Sequence, residues 1–292
     1  MKTITLVAYK RPVYAAEVLR NLACCRKIDQ FDQLLIFIDP GYDEVADVCH
    51  EFSNKLTIPV KVKVNEQLLG VAGNPMRAYS RVFDELGTDF NVAIEDDAVL
   101  SPDALELALW FCSHHGSADS RYTFLNFCDH YNYRGAGRNK GNAPDDLSLI
   151  AESTFFTSPF AWCFTRDAWP FVKRNWNRNQ RSINGWDWSI RFAMRMEGRI
   201  SLTPVVSRCQ NIGELDGTWE TGETFWVQRG LRYSDGSYHG DFALVNPVTQ
   251  REAVVVDRWM IPELARYIAE REALRGHADG SGITHFTMDR HA

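Results

Sequence analysis

Between residues 3 and 127 the chain repeats one unit: a short apolar run, then a segment whose apolar residues recur at helical spacing. The runs TITLVA (3–8), LLIFI (34–38), VKVKV (60–64), FNVAI (90–94) and TFLNF (123–127) predict five strands. Pro12 suits a helix start, and Ala15, Val18, Leu19 and Leu22 follow at i, i+3, i+4, i+7. Val45, Val48, Cys49 and Phe52 repeat that spacing. GVAGNP leads into a helix carrying Met76, Tyr79, Phe83 and Leu86. Ser101 and Pro102 read as N-cap and first turn of a helix reaching about His115. Strands and helices joined by short connections imply an α/β fold, a Rossmann-type, mostly parallel sheet flanked by helices. Such sheets bind ligands beyond the carboxyl ends of their strands.

The fourth strand ends in Glu95, Asp96 and Asp97. Like charges this close repel and raise one another's pKa, so the triplet calls for a compensating cation. Mg²⁺ and Mn²⁺ take hard oxygen ligands, commonly one or two carboxylates plus substrate phosphates, which makes this an arrangement for a nucleoside diphosphate. The same acids would also suit a solvated helix start. Asp39 ends the second strand within DPGYD, where it equally suits a turn. Arg77, on the helix after GVAGNP, is placed to approach a diphosphate.

After Cys128 the pattern changes. Residues 129–146 form a long polar loop, and STFFTSPFAWCFT (153–165) is rich in aromatics. A helix follows from Asp167, and GWDWSIRFAMRMEG (185–198) predicts another. RISLTPVVS (199–207) reads as a strand interrupted by Pro204, and 211–224 as a Gly-rich loop suited to a lid. Residues 253–257 form a weak strand, and a helix is expected from Pro262 to about Arg275. From Arg166 to Arg199 eight basic residues face three acidic ones, a local net of +5 that suits an anionic acceptor or a solvated helix face.

The whole chain carries a net charge of −6, which disfavours general attraction to nucleic acid or an anionic membrane. No run approaches the ~18 apolar residues of a membrane span. The N-terminal apolar run is too short for a signal peptide. Seven cysteines, none in a C-x-x-C pair, read as reduced thiols of a cytoplasmic protein.

VAIEDDAVLSPDALELALWF resembles the metal-binding strand of GT-A glycosyltransferases, and most of all the N-acetylglucosaminyltransferase I family, with its E-D-D-L-x-x-x-P-D-F segment. LVAYKRP, LLIFIDPG, STFFTSPFAWCFTRDAWPFV, GWDWSIR and VSRCQNIGELDG are similar to further segments of that family in the same order, across residues 3–220. The resemblance implies a GT-A-like domain over 1–224, with a nucleotide-sugar and metal half (1–128) and an acceptor half (129–224). Residues 225–292 would form a C-terminal extension. It implies a metal-dependent, inverting transfer of a hexose or N-acetylhexosamine, from a UDP-sugar with Mn²⁺ or Mg²⁺, to an acceptor hydroxyl. Asp97 would ligate the metal, with Glu95 and Asp96 on the donor ribose or sugar. Arg11 would contact the donor uracil, and Asp39 its nucleoside. Asp187 would be the catalytic base, lifted in pKa by flanking Trp186 and Trp188, with Trp162 on the acceptor side. The acceptor would be a glycan, a lipid-linked or other anionic acceptor, or a hydroxylated nucleobase in DNA. One Asp of the family's W-D-D-W is missing here, and Tyr9-Lys10 replaces different residues. His239 or His285 would be further candidates for the metal.

Two rivals differ in class. A sugar-phosphate nucleotidyltransferase would carry a Gly-rich loop after the first strand, and AYKRPVY has no glycine. A non-catalytic carbohydrate- or nucleic-acid-binding module would use the tryptophans but gives no reason for three adjacent acids.

Overall fold

In the computed structural model the described residues are 1–116, 121–128, 146–153, 160–176, 185–213 and 233–245. They fall within one compact unit, Met1–Pro247. That unit runs past the expected boundary at 224, because β11 (Ala243–Val245) pairs with β7 (Leu149–Ser153) and extends the main sheet. The expected strand at 253–257 and helix at 262–275 lie outside the described residues.

The first half folds as the alternation predicts: β1 (Lys2–Ala8), α1 (Pro12–Ala23), β2 (Gln33–Ile38), α2 (Asp43–Ser53), β3 (Val60–Val64), α3 (Gly70–Ser80), β4 (Phe90–Glu95). A short β5 (Ala98–Leu100) precedes α4 (Ala104–His115) and β6 (Tyr122–Asn126). Then come β7, β8 (Ala161–Thr165), α5 (Trp169–Asn175), α6 (Gly185–Met196), β9 (Ile200–Pro204), β10 (Cys209–Asn211) and β11. The nine-stranded sheet has the order β11-β7-β9-β6-β8-β4-β1-β2-β3. β3, β2, β1 and β4 run parallel, and β8 is antiparallel to both β4 and β6. β5 and β10 pair antiparallel as a separate ribbon.

Each face of the sheet buries its own helices. Ala15, Val18, Leu19 and Leu22 of α1, with Val45 and Cys49 of α2 and Leu105 and Phe111 of α4, pack on one side. Met76 and Tyr79 of α3, Phe171 of α5, and Trp186, Ile190 and Met194 of α6 pack on the other. At ~25 cal/mol per Å² of apolar surface, these two layers are the main stabilising term.

Two helix starts differ from expectation. GVAGNP is itself the first turns of α3, with Pro75 inside the helix. Gly70 takes φ +73°, open to glycine at little cost. Asn74 then secures the helix, its Nδ2 donating to the carbonyls of Ala8 (3.3 Å) and Phe37 (3.2 Å). At α4 the residue before the helix is Asp103, not Ser101, and the Ser101 hydroxyl donates to Asp103 Oδ1 at 2.6 Å.

Candidate active site

The chain leaves β1 toward β2 and β3 on one side and returns to β4 on the other. The carboxyl ends of β1 and β4 therefore lie together at a topological switch point, the usual ligand crevice of such sheets. β1 ends at Ala8 and delivers Tyr9 and Arg11, while β4 delivers Glu95, Asp96 and Asp97.

Strand alternation separates the three acids. Ala93 faces the α3–α6 side of β4 and Ile94 the α1 side, so Glu95 follows the first and Asp96 the second. Asp96 meets Arg11, whose Nη2 donates to Oδ1, and its Oδ2 accepts from the Tyr9 backbone N–H at 3.1 Å. The same Arg11 Nη2 stands 2.8 Å from Asp97 Oδ2. The other oxygen, Asp97 Oδ1, is buried and has no hydrogen-bond partner. Burial pushes the Asp97 carboxyl up to about 6, with Arg11 opposing and Asp96 adding to the rise. Glu95 is raised well above the usual carboxylate range, first by burial, then by the charges of Asp97 and Asp96, with Asp187 adding a smaller share. Burial also raises Asp96, against the opposing charge and hydrogen bond of Arg11. Burial alone would lower the Arg11 pKa, but the charges of Asp97 and Asp96 outweigh it, so Arg11 stays cationic.

The influence of Asp187 on Glu95 brings the expected base to the same locus. Asp187 lies in the first turn of α6, its side chain 20% exposed, with Arg191 Nη2 at 3.8 Å from Oδ2. Trp186 does not enclose it as expected, since successive helix residues point about 100° apart. Trp186 turns into the core and stacks on Trp176 with ring centroids 4.1 Å apart. The side chain of Trp188 lies outside the described residues.

Trp162 is a core residue: it has no exposed surface and stacks on Phe164 at 4.2 Å. It therefore offers no face to an acceptor. Asp39 is 2% exposed and fully engaged. Oδ2 accepts from Gly70 N at 2.7 Å, and Oδ1 from Leu69 N at 3.1 Å and Asn65 Nδ2 at 2.9 Å. It holds the start of α3, where a carboxylate also complements the helix dipole. Arg77 lies in the last turn of α3 and pairs with Glu85 at 2.6 Å rather than with the acidic tip. His239 is exposed, and His285 lies outside the described residues.

Five residues of the basic stretch are paired. Arg166, Lys173, Arg174, Arg191 and Arg199 each pair with a carboxylate, of Asp89, Asp84, Glu197, Asp187 and Glu197 respectively. Only Asp84 and Asp89 come from outside the stretch, and they lower its local net from +5 to +3.

Two site residues escaped the sequence reading. β10 pairs with β5, and Ile212 N donates to the Asp97 carbonyl at 2.8 Å, which lays Asn211 and Gly213 against the acids. A Cβ on Gly213 would stand 2.4 Å from Asp97 Oδ2 and 3.0 Å from Arg11 Nη1, so only glycine fits without displacing one of them. Asn211 Oδ1 accepts from Gly213 N at 2.6 Å. The N-x-G spacing was the available signal, and it read only as a loop.

Among the described residues no three His, Cys, Asp or Glu side chains meet in metal-holding geometry. A divalent ion nonetheless fits the unpartnered Asp97 Oδ1, provided that ligand phosphates complete its shell, as is usual for Mg²⁺.

No family model matches the chain, and no curated protein sequence matches it. Solved structures do. TarS of S. aureus superposes with a TM-score of 0.51 at 16% identity, covering 78% of this chain and 42% of TarS. The mannosyltransferase PcManGT from Pyrobaculum calidifontis, in complex with GDP-Man and Mn²⁺, superposes with a TM-score of 0.50 at 14% identity, covering 70% of this chain and 54% of that one. The match thus spans about half the length of these proteins, or less. At such identities the likeness shows the fold, which is GT-A-like α/β. No helix among the described residues is long and apolar enough to cross a membrane.

Proposed function

We propose that this chain is a metal-dependent, inverting glycosyltransferase that moves a sugar from a UDP-sugar to an acceptor hydroxyl. The observation that carries the reading is the buried, unpartnered Asp97 Oδ1 beside Arg11 at the switch point. A buried carboxylate oxygen kept there without a hydrogen-bond donor costs stability, and a cation bound with a diphosphate would offset that cost. The mannosyltransferase of like fold, solved with GDP-Man and Mn²⁺, supports the donor class and the ion.

In this reading Asp97 holds Mn²⁺ or Mg²⁺, and Arg11 adds a second positive charge beside the diphosphate. The ion, when bound, neutralises charge on the departing nucleoside diphosphate as a Lewis acid. Glu95 contacts the donor sugar. Asp96 fixes Arg11. Asp187 takes the proton of the acceptor hydroxyl as that oxygen bonds to the anomeric carbon. The carbon–phosphate-oxygen bond breaks, and the diphosphate leaves with the electron pair. A single displacement with one base inverts the anomeric configuration. Asp39 and Trp162 act as supports, the first under the loop that opens α3 and the second beneath α6.

The test is a panel of nucleotide-sugars with Mn²⁺, with and without EDTA, read by thermal shift and nucleoside diphosphate release. Metal-dependent stabilisation by one donor, with slow release of its diphosphate, is expected. Asp187→Asn should keep donor binding and lose about 10²–10⁴-fold in transfer. Asp97→Asn should weaken metal-dependent donor binding. A wild-type protein indifferent to every donor would end this reading.

A further inference from the structure

Arg191 is a cation buried within the fold, and its Nη2 stands 3.8 Å from Asp187 Oδ2. Folded proteins keep a charge so buried where it is paired or hydrogen-bonded. The pair spans one turn of α6, with Asp187 at i and Arg191 at i+4. The acid lies nearer the helix start, the favourable order for the pair and for the helix dipole. The two side chains differ in depth: that of Asp187 is 20% exposed and that of Arg191 is 4% exposed. The guanidinium therefore lies deeper than the carboxylate, and a molecule entering from solvent meets the acid first.

Gly185 bounds the same carboxylate on another side. It takes φ +53°, and the Cβ it lacks would stand 2.7 Å from Asp187 Oδ1. Oδ1 thus rests against the bare backbone of Gly185 while Oδ2 faces Arg191, which gives the carboxylate a seat between them. The helix start that carries this seat is itself anchored, because Trp186 is buried and stacks on Trp176. Among the described residues, Glu95 of β4 is an acid whose environment includes the charge of Asp187. A like charge disfavours ionisation of a carboxylate, and an opposite charge within about 4–6 Å favours it. Arg191 thus opposes the effect of Glu95.

We infer that Arg191 is the positioning residue of the base: with Gly185 it seats the Asp187 carboxylate, and its charge keeps that carboxylate anionic and able to take a proton. The inference rests on the glycosyltransferase reading, in which Asp187 is the base, and adds the groups that set its geometry and charge.

The Asp187 carboxyl is titrated by carbon-13 NMR of aspartate-labelled protein, its signal assigned by its loss in Asp187→Asn. Arg191→Gln removes the charge and keeps a polar group, whereas Arg191→Lys keeps the charge. The Asp187 midpoint should rise by about 1–3 pH units in Arg191→Gln, the range for an adjacent guanidinium, and by less in Arg191→Lys. Release of nucleoside diphosphate is measured beside it, with the nucleotide-sugar that stabilises the wild-type protein in Mn²⁺. Relative to wild type, Arg191→Gln should be about tenfold slower near pH 5 and nearly equal near pH 8, where its base is ionised again. Gly185→Ala tests the seat from the other side, at a partly exposed helix start. Its methyl displaces Oδ1, so release should fall about tenfold to a hundredfold at every pH. An unmoved Asp187 midpoint in Arg191→Gln overturns the role of Arg191, as does a slowing that is equal at all pH. Undiminished release in Gly185→Ala overturns the seat, whether or not Arg191→Gln folds. A wild-type protein that releases no diphosphate from any donor ends the transferase reading and the inference with it, whereas wild-type release with an unmoved midpoint in the variant removes only Arg191.

Discussion

Arg208 Nε donates to Asp103 Oδ2 at 2.9 Å across 105 residues of chain, and neither side chain has any solvent exposure. Ser101 Oγ and Ser234 Oγ also donate to Asp103, and Arg208 Nη1 donates to the Val206 carbonyl at 2.6 Å. The pair therefore joins the segment that follows the acids to the segment that leads into β10, and so sets Asn211 and Gly213 against Asp97. Removing one partner leaves a buried charge uncompensated, at a cost of about 3–5 kcal/mol. Arg208→Met or Asp103→Asn should show that loss in urea denaturation. The double variant Arg208→Met/Asp103→Leu should recover most of it. A single variant within 1 kcal/mol of wild type would show that the pair is dispensable.

The acids make the unliganded protein sensitive to pH in an unusual direction. Asp97 has a folded-state pKa of about 6 against an ordinary 3.8. The native state thus binds the proton more tightly than the unfolded chain does. The stability held by protonated Asp97 is present below pH 3.8 and is lost as pH rises to about 6. At neutral pH the charged carboxylate costs on the order of 3 kcal/mol. Without metal, Asp97→Asn should melt higher than wild type at pH 7.5, and the gap should narrow toward pH 4. With Mn²⁺ and UDP the order at pH 7.5 should reverse. Parallel melting curves for the two proteins across this range would contradict the assigned environment.

Gly213→Ala tests how closely the backbone approaches Asp97. The added methyl needs displacement of Asp97 or Arg11, so donor affinity in Mn²⁺ should fall by tenfold or more, as for loss of a charge-assisted contact. The overpacking should lower stability by about 1–3 kcal/mol. Calorimetric titration beside a urea curve separates the two effects. Unchanged donor affinity would show that the approach is looser than the structure has it.

Trp162 sits in the core, so it should act through stability. Trp162→Ala should cost about 3–5 kcal/mol. Trp162→Phe, which keeps an aromatic ring against Phe164, should cost less and leave the KM for acceptor unchanged. A raised acceptor KM in Trp162→Phe at normal stability would return this residue to the acceptor side.

Much of this architecture was legible in the chain, and the exceptions have physical reasons. Pro12, the apolar spacing of Ala15 through Leu22, and the run LLIFI follow directly from periodicity, and so did the position of the acids at a strand tip. GVAGNP misled because glycine and proline normally mark turns, whereas here Asp39 and Asn74, bonded across the fold, hold the segment helical. β5, β10 and β11 are three residues each, too short to show a period of two. Trp162 was placed on the acceptor side by resemblance, and a matched segment does not reveal burial. Asn211 and Gly213 were unreadable because their role comes from pairing with β5 more than a hundred positions earlier.

Arg11, Asp97 and Gly213 come from three distant parts of the chain, and the crevice exists only where all three have met. A polypeptide whose synthesis has not yet passed β10 lacks Gly213, so the crevice is completed only late in the making of the chain. On the glycosyltransferase reading, donor binding would be a correspondingly late event in maturation.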